Sequence, residues 1–77
     1  MIKIQAQGIR YDDDLHSSCT SWVLIKGKHD VEDVKEFLEL MGMHSHHGGP
    51  GHVFAKKPQI RQTKTRTLIT QFVGLDI

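Results

Sequence analysis

Cys19-Thr20-Ser21-Trp22-Val23-Leu24-Ile25 is the stretch on which the fold of this 77-residue chain turns. Its residues are mostly β-branched, aromatic or hydroxyl-bearing, types that fit a pleated and half-buried surface. Successive side chains of a strand point to opposite faces, so Trp22 and Leu24 look one way and Val23 and Ile25 the other. Both faces are therefore apolar. Such a strand is central in its sheet, or its second face meets a partner.

Upstream, Ile2 to Arg10 alternates, with Ile2, Ile4 and Ala6 on one side and Lys3, Gln5 and Gln7 on the other, which predicts a first strand. Asp12, Asp13 and Asp14 interrupt the apolar pattern before the second strand, so a hairpin joins the two. Downstream, Asp30 is placed to accept hydrogen bonds from the free N–H groups of a helix start, with Glu32 and Asp33 suited to the positive end of the dipole. Val31, Val34, Leu38 and Met41 recur at helical spacing, Phe37 and Leu40 broaden the stripe, and Glu32, Asp33, Lys35, Glu36 and Glu39 lie opposite. Gly42 is positioned as the C-terminal cap. Met43 to His52 has no periodicity and reads as a loop. Val53 to Gln62 is a third strand in which Pro58, lacking a donor, points to an edge or a bulge. Thr65 to Val73 is a strong final strand.

The pattern predicts one α+β domain over 1–77, a small antiparallel sheet with one helix packed on one face, in the order ββαββ. One sheet face stays uncovered. Trp22 and Leu24, with Ile69 or Val73, are expected there, and an exposed apolar patch of that kind marks an interface.

Composition narrows the function. A chain this short has no room for a cleft between lobes, and it buries only about 60% of its unfolded surface, so self-association into a homo-oligomer is expected to help it. One cysteine, Cys19, cannot close an intrachain disulfide, which fits a reducing, cytoplasmic compartment. Ile2 to Gln7 lacks the features of a secretory signal, so the mature protein is expected to begin at Met1, and no apolar run is long enough to span a bilayer. Ten Lys and Arg against nine Asp and Glu give a net charge of +1, not the balance of a dedicated nucleic-acid binder. The charges are segregated, however. Lys56 to Arg66 holds five basic residues and no acid, while the acids gather around Asp12 to Asp14 and between Asp30 and Glu39.

Three readings of function follow. In the first, the protein is no enzyme but a small binding module, an inhibitor or adaptor. Its partner protein would meet Trp22 and Leu24 on the uncovered face and the basic ridge of Lys56, Lys57, Arg61, Lys64 and Arg66. The same ridge could track a phosphate backbone, but it contains no aromatic residue for base stacking, which places nucleic acid behind protein as partner. In the second, His47, Gly48, Gly49, Gly51 and His52 cradle a nucleotide or other small ligand through consecutive backbone N–H groups, although no Gly-Lys-Ser/Thr phosphate-loop motif is present. In the third, His44, His46, His47 and His52 hold Zn or Ni, although their spacing matches no established zinc pattern and no cofactor is required by the first reading. Asp12, Asp13 and Asp14 beside His16 read as a solvated turn before they read as a cation site.

A short self-contained α+β chain with an uncovered sheet face and a terse Gly74-Leu75-Asp76-Ile77 tail is similar to the small accessory proteins encoded by bacteriophages and prophages. That resemblance implies a viral protein that binds and inhibits a host or defence factor.

Overall fold

The computed structural model describes residues 2–12, 14 and 17–75. Strand β1, Ile4–Tyr11, pairs antiparallel with β2, Ser18–Lys26, which in turn pairs along its whole length with the last strand, β6, Arg66–Leu75. Between them in the chain lie helix α1, Val31–Leu40, and three short strands: β3, His46–His47; β4, Val53–Ala55; and β5, Gln59–Gln62. The sheet runs β1-β2-β6-β4-β3, with β5 also on β6. All its pairings are antiparallel.

The order is thus ββαββββ, not ββαββ. Two features make the difference. β4 and β5 are one strand alongside β6 broken in two, with β3 covering the far side of β4: Val53 pairs with Leu75 and Ala55 with Val73, whereas Gln59 pairs with Thr70, so this strand carries one residue more than β6 between those rungs. Lys56, Lys57 and Pro58 form this bulge, with the Lys56 N–H still donating to the Phe72 carbonyl at 2.9 Å. Proline removes a ladder donor, and the edge is where that loss is tolerated. The second feature is β3, which pairs His46 with Ala55 and His47 with Phe54 inside the stretch expected to be loop. Gly49-Pro50-Gly51-His52 closes this small hairpin. His52 N–H donates to the Gly49 carbonyl at 3.0 Å, Pro50 takes the position that wants its fixed φ, and Gly51 the position that needs positive φ, here +80°.

β1 also departs from simple alternation. Ile4 opposes Ile25 but Ala6 opposes Leu24, so Gln5 is an extra residue. Ile4 and Ala6 were expected on one side, but the bulge puts Ile4 on the helix side of the sheet and Ala6 on the other.

The core lies between α1 and the centre of the sheet: Val23 and Ile25 from β2, Ile69 from β6, Val34 and Leu38 from α1, and Met43. Ile69, expected on the uncovered face, is fully buried under the helix, and Val73 shares that side because it opposes Cys19. The helix buries a narrower stripe than its sequence promised. Leu40, 81% exposed, stands about 120° round the helix from Val34 at 3.6 residues per turn, whereas Val31 and Met41 lie nearer the buried side but are exposed at the two ends of the helix. Asp30 occupies the N-cap with extended backbone and accepts the Val34 N–H at its carbonyl, but its side chain makes no cap bond, contrary to expectation. The other end matches its reading closely. Gly42 sits at φ +70°, its N–H donates to Glu39 O, and Met43 N–H donates to Leu38 O at 2.8 Å. This is the Schellman arrangement, completed by Met43 and Leu38 in the same core cluster.

Among the described residues six apolar side chains form the core, and polar groups finish the interior. Gln71, 6% exposed, donates from Nε2 to the His44 carbonyl at 3.1 Å and the Lys56 carbonyl at 3.0 Å, tying the post-helix segment and the edge bulge to the central strand. Thr67, fully buried, has Oγ1 2.9 Å from the Gly27 carbonyl and 3.0 Å from Gln62 Oε1, which also accepts the His29 N–H at 2.8 Å.

Candidate binding face

Cross-strand partners share a face, so the register alone assigns the side of the sheet away from the helix. Reading from one end, its rungs are Lys26 with Arg66; then Ala6, Leu24, Leu68 and Arg61; then Gly8, Trp22, Thr70 and Gln59. Next come Arg10, Thr20 and Phe72, and finally Gly74, Phe54 and His47. Down the middle runs an apolar path, Leu24 and Leu68, then Trp22, Phe72 and Phe54. Cations flank it: Arg10 on the β1 side, Arg61 and Lys56 on the β4–β5 side, and Lys26 with Arg66 at the end.

Each ring has a defined seat. Trp22 lies across Gly8, where an added Cβ would come within 2.8 Å of Cζ2 and 3.2 Å of Nε1, so only glycine leaves room for the indole on the neighbouring strand. Phe54 and Phe72 meet with centroids 5.9 Å apart at 44°, and both crowd the α-carbon of Gly74, where an added Cβ would stand 3.2 Å from Phe54. Lys56 Nζ sits 5.3 Å above the centre of the Phe72 ring, a cation–π distance. His47 extends the row, its ring 6.3 Å from Phe54. Two shallow hollows meet at Leu68. One, about 350 Å³, is lined by Arg10, Thr20, Trp22, Leu68 and Thr70; the other, about 400 Å³, by Leu24, Arg61, Thr63, Thr65, Arg66 and Leu68.

The electrostatics are one-sided. Lys26 and Arg66 stand directly opposite each other, a like-charge pairing that destabilises a ladder. Among the described residues no carboxylate pairs with either, or with Arg61 or Lys56; Asp12, at the rim, lies 3.6 Å from Arg10 and accepts from Thr20 Oγ1 at 3.2 Å. Helix α1 carries the exposed acids Glu32, Asp33, Glu36 and Glu39 on the other side of the molecule.

Of the residues singled out from sequence, Trp22, Leu24, Lys56, Arg61 and Arg66 converge on this face, while Lys57 lies in the bulge and Lys64 in the β5–β6 turn, both exposed. That turn is held by Thr63, whose Oγ1 accepts the Thr65 and Arg66 N–H groups. Sequence reading missed Arg10, Lys26, Phe54, Leu68 and Phe72. The signal for Leu68 and Phe72 was present in the two-residue period of the last strand; the mistake was to assign Ile69 and Val73 to the outside.

The remaining candidates disperse. His46 and His47 are consecutive strand residues and so point to opposite faces, His44 contributes its carbonyl to Gln71, and His52 its N–H to the turn. Among the described residues no group of three or more His, Cys, Asp or Glu is placed to hold a metal ion. Gly48, Gly49 and Gly51 serve the β3–β4 hairpin: Gly48 N–H donates to the Val53 carbonyl and Gly49 O accepts from His52, so these groups close a turn. Asp13 and His16 lie outside the described residues.

No helix among the described residues is long and apolar enough to cross a membrane. No protein family matches the chain, and comparisons with curated proteins and with solved structures find no significant match.

Proposed function

We propose that this protein works by binding, as an adaptor or inhibitor, and that its docking surface is the open face of the sheet, built to receive an anionic partner. One observation carries this reading: half-buried rings and unpaired cations share a face that no element of the described chain covers. Leaving Lys26 opposite Arg66 costs ladder stability, and a bound anion removes that cost. The acidic helix on the far side repels the same partner, so the charge distribution presents the molecule in one orientation. A protein with an acidic surface, such as the host factor implied by the likeness to phage accessory proteins, is one occupant this face supports. The nucleotide reading of the glycine segment is the weaker one, because the Gly48 and His52 N–H groups are already used in a turn.

A charge-matched pair of variants tests the face. Arg61→Gln with Arg66→Gln removes two cations from it, and Lys28→Gln with Lys35→Gln removes two from elsewhere. On an anionic resin such as heparin, the first variant is expected to elute at lower salt than the second. Equal elution would show that net charge, and not this face, governs binding.

A further inference from the structure

We infer that the occupant of the open face is single-stranded nucleic acid, which rests on the reading of that face as an anion-binding surface. The basic ridge contains no aromatic residue in its own stretch of sequence, but the sheet supplies what the stretch lacks. Register brings Phe72 of β6, beneath Lys56, and Phe54 of β4 alongside the ridge, and sets Trp22 of β2 one rung from Arg61. Rings flanked by cations are the chemistry that stacked bases and a phosphate backbone require together, and stacking accepts any base. An acidic polypeptide would satisfy the cations, but its carboxylates have no planar face to lay on a row of three rings. Rungs on one face of a strand repeat at about 7 Å, twice the rise per residue, a spacing comparable with successive phosphates of an extended strand. Thr20, Thr70 and Gln59 stand between the rings and the cations as neutral hydrogen-bonding groups for sugar, phosphate or base edges. A duplex fits less well, because its bases are stacked on one another and cannot lie on Trp22 or Phe72.

The chain has one tryptophan, so its emission reports on this face. Full-length protein is titrated with an oligothymidylate of about 12 nucleotides, within the usual site-size range, with the matched duplex, and with poly-L-glutamate. Each titration is run at about 50 and 200 mM salt. Oligothymidylate is expected to quench Trp22. Five neutralised phosphates give a log–log salt slope of about −3.5, or roughly a hundredfold weaker binding at the higher salt. Arg61→Gln with Arg66→Gln should reduce that slope by about 1.4, and Phe72→Leu should weaken binding on the order of tenfold with little change in slope. Circular dichroism verifies that each variant is folded.

Poly-L-glutamate binding as tightly as oligothymidylate, or duplex binding as tightly without quenching, would overturn the nucleic-acid assignment. If that binding still weakens in the double arginine variant, the anion-binding face survives. Binding to none of the three, or binding indifferent to the arginine changes, would overturn both.

Discussion

Replacing Gln71 by Met removes an amide of nearly the same length from the centre of the molecule. Two hydrogen bonds go with it, those from Nε2 to the His44 and Lys56 carbonyls. A net hydrogen bond contributes about 1 kcal/mol, and a buried acceptor left without a donor costs about 1–3 kcal/mol. His44 and Lys56 are both exposed residues, so water can take over part of what their carbonyls lose. The expected loss is therefore about 2–3 kcal/mol. A domain of this size has roughly 4–12 kcal/mol in all, and each kcal/mol moves the melting temperature by roughly 4–8 °C, so the midpoint should fall by roughly 8–24 °C. Urea and thermal unfolding followed by Trp22 emission measure this directly. Gln59→Met, an exposed glutamine exchanged in the same way on β5, serves as the control and should move stability by no more than about 0.5 kcal/mol. Hydrogen exchange adds a local test: the Lys56 amide, bonded to Phe72 O across the bulge, should lose more protection than the Val23 amide in the middle of the sheet. A loss under about 0.5 kcal/mol, or equal loosening of both amides, would refute the idea that Gln71 clamps the bulge.

Ile69→Ala, at a fully buried position in the small apolar core, should cost about 2–5 kcal/mol and bring the protein near its unfolding threshold, seen as a lower urea midpoint or loss of the transition. Gly42→Ala meets no atom within 4 Å, so its cost is the left-handed backbone alone, about 1–2 kcal/mol, read as a lower midpoint at unchanged denaturant slope. His44, His46 and His47 changed together to Ser should keep cooperative unfolding and lose no more than about 1 kcal/mol, since all three residues are exposed and the His47 ring meets Phe54 only at a tilt, 6.3 Å away. Gly8→Ala places a methyl group 2.8 Å from Trp22 Cζ2 and should lift the indole off β1; the check is a red shift in its emission, and an unchanged spectrum would contradict the seating described here.

The parts of this fold that were legible in sequence are those written locally. The two-faced pattern of β2, the glycine end of the helix and the proline in the edge strand each act through their own neighbours, and each has the expected place. The face of Ile69 was misjudged because alternation says which residues share a side but not which side the helix takes. The bulge at Gln5 and the two-residue β3 depend on what the opposing strand offers, Leu24 in one case and Ala55 with Phe54 in the other, and neither leaves a local mark. The site was half legible for the same reason. Trp22 and the basic ridge could be picked out singly, but the meeting of Phe72 with Lys56 and the opposition of Lys26 to Arg66 arise only from sheet order.

β6 follows in the chain every element it pairs with, yet it lies between β2 on one side and β4 and β5 on the other. Its longest ladder joins residues forty or more positions apart, Ser18 with Gly74 at the extreme. Until residues 66–75 have left the ribosome, the β1–β2 hairpin has no neighbour, β5 has nothing to pair with, the β3–β4 hairpin stands alone and Val34 and Leu38 lack Ile69 beneath them. Closing such distant pairs is slow, in the range of milliseconds to seconds for small domains dominated by non-local strand pairing. Folding is therefore gated by arrival of β6, and until then Trp22, Leu24, Val23 and Ile25 stand exposed together.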